Sequence, residues 1–261
     1  MNSFVNIKCP LCQSDAKSLW PEVKVCKCQS CNLIFRSPAL SMEELEGLYQ
    51  TSWKDPMLET DETGATNPEL AEDFVSRLAK SLGLDNLKGL RILDYGAGRG
   101  AMLKALMDAG VDAYGVEPFG YEFLQQNGFK VFRALDELPK GIFFDGIVSL
   151  DVIEHVQVPW DDYKKLNYYL AENGWLYLST PNAAGINAHF YRSKWREIYN
   201  RGHLYFFTPM TLERVLEKGG YNKMKRLRWF INYRRGVITS ILHQLFQIAQ
   251  IDGELRYLAF K

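Results

Sequence analysis

The chain has 261 residues, 31 basic and 31 acidic side chains, a formal net charge of zero and 47% hydrophobic content. That composition excludes a disordered or fibrous chain and describes a globular protein able to bury a sizeable core. Zero net charge argues against a protein whose main work is holding nucleic acid, since such domains carry a basic excess.

The opening MNSFVNIKCP has no charged region followed by a long apolar run, and no later stretch has the apolar length of a membrane span, so a cytoplasmic location is expected. All five cysteines fall between Cys9 and Cys31. Cys9-Pro-Leu-Cys12 and Cys28-Gln-Ser-Cys31 are two CxxC pairs fifteen residues apart, the spacing with which two short turns bring four thiolates onto one tetrahedral zinc ion. Cys26, two residues before Cys28, competes for the same side of a strand, and Cys28 is the expected ligand. The alternative for the group is reduced thiols without metal, or a redox pair.

Ser41-Met-Glu-Glu44 reads as a capping box opening a short helix, and residues 51–67 read as a polar loop. Asn67-Pro68-Glu69 then starts a helix carrying Leu70, Phe74, Leu78 and Leu82. The expected units are a zinc-ribbon segment at 1–40, a helix and linker at 41–67, and a main domain at 68–261.

From residue 90 strands alternate with helices. The expected order is strand Leu90–Tyr95, helix Ala101–Ala109, strand Ala113–Glu117, helix Phe119–Gln126 and strand Phe129–Phe132, then strand Asp145–Leu150, helix Asp161–Ala171 and strand Trp175–Thr180. A helix capped by Thr208-Pro209 ends at Gly219-Gly220, and a strand over 222–232, a helix over 237–250 and a strand Glu254–Phe260 close the chain. This grammar implies a doubly wound α/β fold with a largely parallel sheet.

Arg91-Ile-Leu-Asp94-Tyr-Gly96-Ala97-Gly98-Arg-Gly100 puts glycines where the first strand turns into a helix, so that backbone can approach a ligand. Glu117 ends the next strand, where a carboxylate can accept bonds from both ribose hydroxyls of an adenosine cofactor. Gly96, Gly98 and Ala101 also satisfy a loose nicotinamide-dinucleotide fingerprint. Asp94 favours S-adenosylmethionine instead, because an acid beside the loop suits an ammonium group and not a pyrophosphate.

Together LDYGAGRG (93–100), GVEP (115–118), FDGIVSLDVIEHV (144–156), LYLSTPN (176–182) and HLYFFTPMTLERVLEKGGY (203–221) resemble the class I S-adenosylmethionine-dependent methyltransferases. The resemblance implies a Rossmann-like, seven-stranded, mostly parallel sheet with its last strand antiparallel. It assigns Asp94, Gly96, Ala97 and Gly98 to the cofactor loop, Glu117 to the ribose, and Asp136 and Asp151 to the same pocket. For Asp136 a helix N-cap is the alternative.

In Asp151-Val-Ile-Glu154-His155 three polar residues share one face if the segment is helical. His155 is the candidate general base and His203 the second, each against a structural, hydrogen-bonded role. The motif resembles one in quinone-biosynthesis O-methyltransferases, which leaves open a divalent ion on Asp151, Glu154 and His155. The aromatic stretch between Pro181 and His203 is a candidate lid or a local subcore.

The expected acceptor is a small molecule or a glycan-type sugar, methylated at oxygen or carbon. Two further options are a docking protein for RNA or protein built on the ribbon and the basic residues Lys223, Lys225, Arg226, Arg228, Arg234 and Arg235, and membrane-surface contact through Ile238–Ala249.

Overall fold

The computed structural model describes residues 7–54, 68–228 and 252–261. The expected helix over 237–250, residues 229–232 of the expected strand, Asn67, Arg234 and Arg235 lie outside them.

Seven strands form the central sheet: β5 (Arg91–Tyr95), β6 (Asp112–Val116), β7 (Val131–Phe132), β8 (Phe144–Leu150), β9 (Leu170–Pro181), β11 (Lys223–Arg226) and β12 (Glu254–Phe260), in the spatial order β11-β12-β9-β8-β5-β6-β7. β5 pairs in parallel with β6 and β8, and β9 with β8. Only β12 runs against its neighbours, inserted between β9 and β11. This is the expected doubly wound, seven-stranded sheet. Its strands read as near-continuous apolar runs because helices cover both faces: β5 buries Ile92 to Tyr95, and β9 buries Trp175 to Thr180. Gly146 on β8 is required by close approach, since a Cβ there would sit 2.1 Å from the Trp175 ring.

The helices are α1 (Met42–Lys54), α2 (Pro68–Leu82), α3 (Ala101–Asp108), α4 (Tyr121–Gln126), α5 (Pro159–Tyr169), α6 (Ile186–Tyr191), α7 (Arg196–Tyr199) and α8 (Pro209–Lys218). The Ser41 box is present, with the Ser41 N–H donating to Glu44 and the Glu44 N–H donating to Ser41 Oγ. α1 runs on to Lys54, so residues 51–54 are helical and not the loop their polarity suggests. α5 starts two residues before expectation, because Pro159 supplies a preset first-turn φ. β9 begins at Leu170, five residues early; the exposed Glu172 and Asn173 hide a strand that buried Leu170 pairs onto Phe144. α8 opens on Thr208 with a full capping box to Thr211.

The cysteine segment folds as β1 (Ile7–Lys8), β2 (Asp15–Trp20), β3 (Val25–Cys28) and β4 (Ile34–Arg36). Its sheet has a fifth strand from far along the chain: β10 (Tyr205–Phe206) pairs antiparallel with β4, Tyr205 opposite Phe35 and Phe206 opposite Ile34. Cys9, Cys26, Cys28, Cys31, Leu33 and Phe35 belong to one apolar cluster with Leu93, Ile147, Leu204 and Phe207. Among the described residues no helix is long and apolar enough to cross a membrane.

Candidate active site

A cleft of about 1460 Å³ opens at the carboxyl ends of the parallel strands. β5 contributes Tyr95, β6 Val116 and β8 Leu150, each followed by its turn, and Pro181 ends β9. Open α/β sheets bind ligands at this edge because the connections from neighbouring strands leave to opposite faces where the strand order reverses, here between β5 and β8, and open a crevice.

The glycine loop divides into two roles. Gly96 has φ +83°, and a Cβ on it would lie 2.3 Å from Val152 Cγ2, so this glycine lets two turns meet. Gly98 has φ +50° and nothing within 4 Å of an added Cβ; it lines the open cleft. Ala97 corrects the sequence reading: its side chain is buried in the core with Leu103 and Val131, away from the cleft. A residue between two loop glycines on a turn points inward, which spacing alone does not show.

Glu117 lines the cleft, as expected, and is held rigidly. Its Oε2 accepts the Gly98 N–H at 2.9 Å and its Oε1 the Phe119 N–H at 2.9 Å. Asp94 also differs from expectation. Its carboxylate lies beneath the loop and does not line the cleft; it is 2% exposed, and Oδ2 has no hydrogen-bond partner. Burial, with the Glu117 charge behind it, pushes Asp94 up to about 8. Asp136 stands at the cleft's outer rim paired with Lys165 at 3.2 Å, and the 3₁₀ turn it belongs to has Ala134 at its N-cap, so the capping alternative is not met.

Residues 151–155 form a turn, not a helix, with Asp151 at φ +52°, a conformation Asp tolerates better than most residues. The turn separates the three groups that a helix would have aligned. Asp151 Oδ1 accepts from Ser179 Oγ at 3.1 Å, whereas Glu154 turns inward, 1% exposed, with Oε2 accepting from Thr180 Oγ1 at 2.9 Å and Oε1 unpartnered. Burial raises Glu154 to about 8. The group close enough to share a cation is therefore Glu154, His155 and His203, and Asp151 is not in it.

The two histidines expected as bases do meet, their rings 4.5 Å apart. His155 Nδ1 lies 3.1 Å from the Gly202 carbonyl and 2.5 Å from the Tyr49 hydroxyl. A carbonyl has no proton to give, so the Gly202 contact is a hydrogen bond in the tautomer with the proton on Nδ1; in that form the Tyr49 oxygen shares the same N–H as an acceptor and the lone pair is on Nε2. His203 is different. Asn200 Oδ1 accepts the Gly202 N–H, which makes Asn200 Nδ2 the donor to His203 Nε2 at 3.0 Å. Its Nε2 lone pair is occupied, and burial with the His155 and Arg36 charges holds the ring well below the usual histidine range. His203 is therefore braced by hydrogen bonds, with its Nδ1 3.6 Å from Glu197 Oε2.

Asn200 and Gly202 were not singled out from sequence, whereas Tyr49, an aromatic near a helix end, left a cover over cofactor or substrate and plain packing both open. Tyr49 from α1 stacks on Phe119 at 4.9 Å and reaches His155, and burial pushes its hydroxyl upward. Gly202 is the residue that makes room for this pair: a Cβ on it would lie 2.7 Å from the Tyr49 oxygen. The turn-forming run Asn200-Arg-Gly202-His203 was the available signal for Asn200 and Gly202. The stretch between Pro181 and His203 divides between both expectations. Trp195 is buried against Val25, Ile34 and Phe206, whereas Arg196, Tyr199 and Asn200 line the cleft.

The four expected cysteines converge, Cys9, Cys12, Cys28 and Cys31 offering sulfurs within 4.8 Å of one another. Cys26 is not in the group. The Cys9–Cys31 and Cys12–Cys28 sulfur pairs are 3.6 and 3.5 Å apart, and all five cysteines are free of disulfides.

A profile of the methyltransferase-domain family matches residues 64–225, and the chain belongs to that family, as a class I S-adenosylmethionine-dependent methyltransferase. The chain is 24% identical over 226 residues to a ubiquinone biosynthesis O-methyltransferase of Dinoroseobacter shibae, covering 78% of this chain and 88% of that one. It is 28% identical over 162 residues to a tRNA U34 carboxymethyltransferase of Pseudomonas putida, covering 58% of this chain and 50% of that one. In fold it resembles a Burkholderia thailandensis 1,6-didemethyltoxoflavin-N1-methyltransferase solved with S-adenosylhomocysteine, with a TM-score of 0.54 and 18% identity over 89% of this chain and 97% of that one.

Proposed function

We propose that the protein transfers a methyl group from S-adenosylmethionine to a hydroxyl oxygen of a small, uncharged or cationic acceptor, sugar-type hydroxyls included, with His155 as general base. The observation that carries this reading is the His155 ring, held by the Gly202 carbonyl with its lone pair on Nε2, in the same cleft as Glu117 and Gly98.

The residues fit the cofactor. Gly98 leaves room that a Cβ would fill, Glu117 is fixed for ribose hydroxyls, and the orphaned Asp94 oxygen is suited to a nearby ammonium. Gly96, Asp136 and Asp151 complete the set, with Ala97 contributing only its backbone. When bound, the cofactor supplies an electrophilic methyl on a sulfonium. The chain's part is to hold the acceptor oxygen in line, exclude water and let His155 Nε2 take the hydroxyl proton. Nine carboxylates line the cleft against three cations, Arg133, Lys165 and Arg196, a balance that disfavours a polyanionic acceptor such as tRNA.

The same reading assigns a structural zinc ion to Cys9, Cys12, Cys28 and Cys31. Tetrahedral thiolates about 2.3 Å from zinc stand about 3.8 Å apart, near the observed sulfur separations. Without a cation, burial pushes the Cys9 thiol up to about 11, a cost that an ion removes by binding thiolate. Metal analysis should give one zinc per chain, kept in Cys26→Ser and lost in Cys28→Ser; the reverse would overturn the ligand set.

Calorimetric titration with S-adenosylhomocysteine, S-adenosylmethionine and NAD tests the cofactor. Binding of the sulfur nucleosides, weakened by Glu117→Ala and absent for NAD, is expected. Labelled methyl transfer to a panel of phenols, sugars and amines then tests the acceptor, and His155→Asn should abolish turnover while leaving nucleoside affinity intact.

A further inference from the structure

We propose that Arg36, at the end of the cysteine segment, is a positioning residue that sets the His155–His203 pair through the backbone of residues 198–203. This rests on the reading of His155 as base.

Arg36 ends β4 with a half-buried guanidinium, and among the described residues no carboxylate lies within ion-pair distance of it. Its donors all go to main-chain carbonyls. Nη1 bonds Val23 O at 2.9 Å, inside its own segment. The others cross to the cleft wall: Nη2 to Ile198 O at 2.7 Å and Asn200 O at 3.4 Å, and Nε to His203 O at 3.2 Å. Its own N–H donates to Leu204 O at 2.8 Å, extending the β4–β10 ladder. Taking a guanidinium partly out of water without a counter-ion is unfavourable unless its planar fork satisfies several acceptors at once, which is what these carbonyls provide.

The carbonyls it gathers belong to the segment that orients the histidines. Asn200, whose carbonyl Arg36 takes, bonds the Gly202 N–H with its side-chain oxygen and His203 Nε2 with its side-chain nitrogen. Gly202 then presents its carbonyl to His155 Nδ1. The path from Arg36 to His155 is thus a continuous set of hydrogen bonds and one short stretch of chain. Lysine can meet one of these carbonyls as a point donor but not the array, and methionine can meet none.

The test uses the full-length, zinc-loaded chain and long-range ¹H–¹⁵N spectra of its four histidine rings, which report tautomer and titration without needing the acceptor. In the wild type His155 and His203 should each show a proton on Nδ1. In Arg36→Met the single tautomer of His203 should be lost, and His155 should lose its single Nδ1–H form as the Gly202 carbonyl moves off it. Arg36→Lys should restore part of the wild-type pattern. Asn200→Ala, which removes the His203 partner directly, is the positive control. Signals of His155 and His203 unmoved in Arg36→Met, with Asn200→Ala responding, would overturn the assignment. Should Arg36→Met not fold, Arg36→Lys decides alone, because wild-type ring spectra in that variant also refute it. S-adenosylhomocysteine titration of the wild type reports separately on the cofactor reading.

Discussion

Asp94 is a carboxyl group whose folded environment works against its charge. Its value is raised from 3.8 to about 8 because burial removes water and Glu117 adds a like charge. Both causes favour the protonated form, and a cation beside it would act the other way. An ammonium brought near it would lower the value, so nucleoside binding should release a proton at pH 7 and none at pH 9. Calorimetry in buffers of different ionisation enthalpy measures this, and Asp94→Asn should abolish the release and weaken binding. A release unchanged in that variant would place the linked proton elsewhere. Glu154 offers a stability counterpart. A folded value near 8 against 4.5 unfolded means folding takes up a proton between those pH values, so its contribution is fully present below 4.5 and is lost as pH rises through 8. Neutral Glu154→Gln keeps an oxygen for Thr180 and has no such slope. Its stability relative to wild type should rise with pH from 5 to 8, by up to about 1.4 kcal/mol per unit. Urea melts across that range are the check, and parallel curves would show that Glu154 titrates normally.

The glycine-loop turn was legible as a ligand loop, but not how its residues divide. Gly96 and Gly98 look equivalent in sequence and both line the cleft, yet a Cβ on the first would meet Val152 and one on the second would meet nothing within 4 Å. Gly96→Ala should cost about 3 kcal/mol through a left-handed backbone and the clash with Val152. Gly98→Ala should cost about 1 kcal/mol in stability through its left-handed backbone and lose nucleoside affinity. Thermal melts paired with titrations separate the two; equal destabilisation would contradict the division. The strand and helix order was readable because buried parallel strands and amphipathic helices have different periods. The 151–155 segment misled because i, i+3, i+4 spacing mimics a helix face, while the observed turn depends on Val152 seating against Gly96, a contact across the sheet. For the same reason His203 was readable as a site residue, but not which nitrogen keeps its proton: Asn200 decides that.

At the scale of the whole chain, the cysteine spacing announced a four-sulfur site but gave no hint that its sheet continues into β10. Nothing local in Tyr205-Phe206 marks it as the partner of Ile34–Phe35, a pairing across some 170 residues of chain. That pairing decides how the molecule should unfold. The cysteines share an apolar cluster with Leu93 and Ile147 of the central sheet, and Arg214 and Lys218 of α8 bond the Cys31 and Leu11 carbonyls. An independent ribbon on a tether would melt separately when its metal is removed, leaving the main transition untouched. On the proposed zinc assignment, chelation loosens the four-cysteine cluster from which β4 leads to β10, and with it the wall carrying His203. Calorimetry of the metal-stripped chain should therefore show one transition shifted to lower temperature, and zinc should restore it. A separate low-temperature transition, with the main one at its original position, would show that the shared sheet does not couple the two parts energetically.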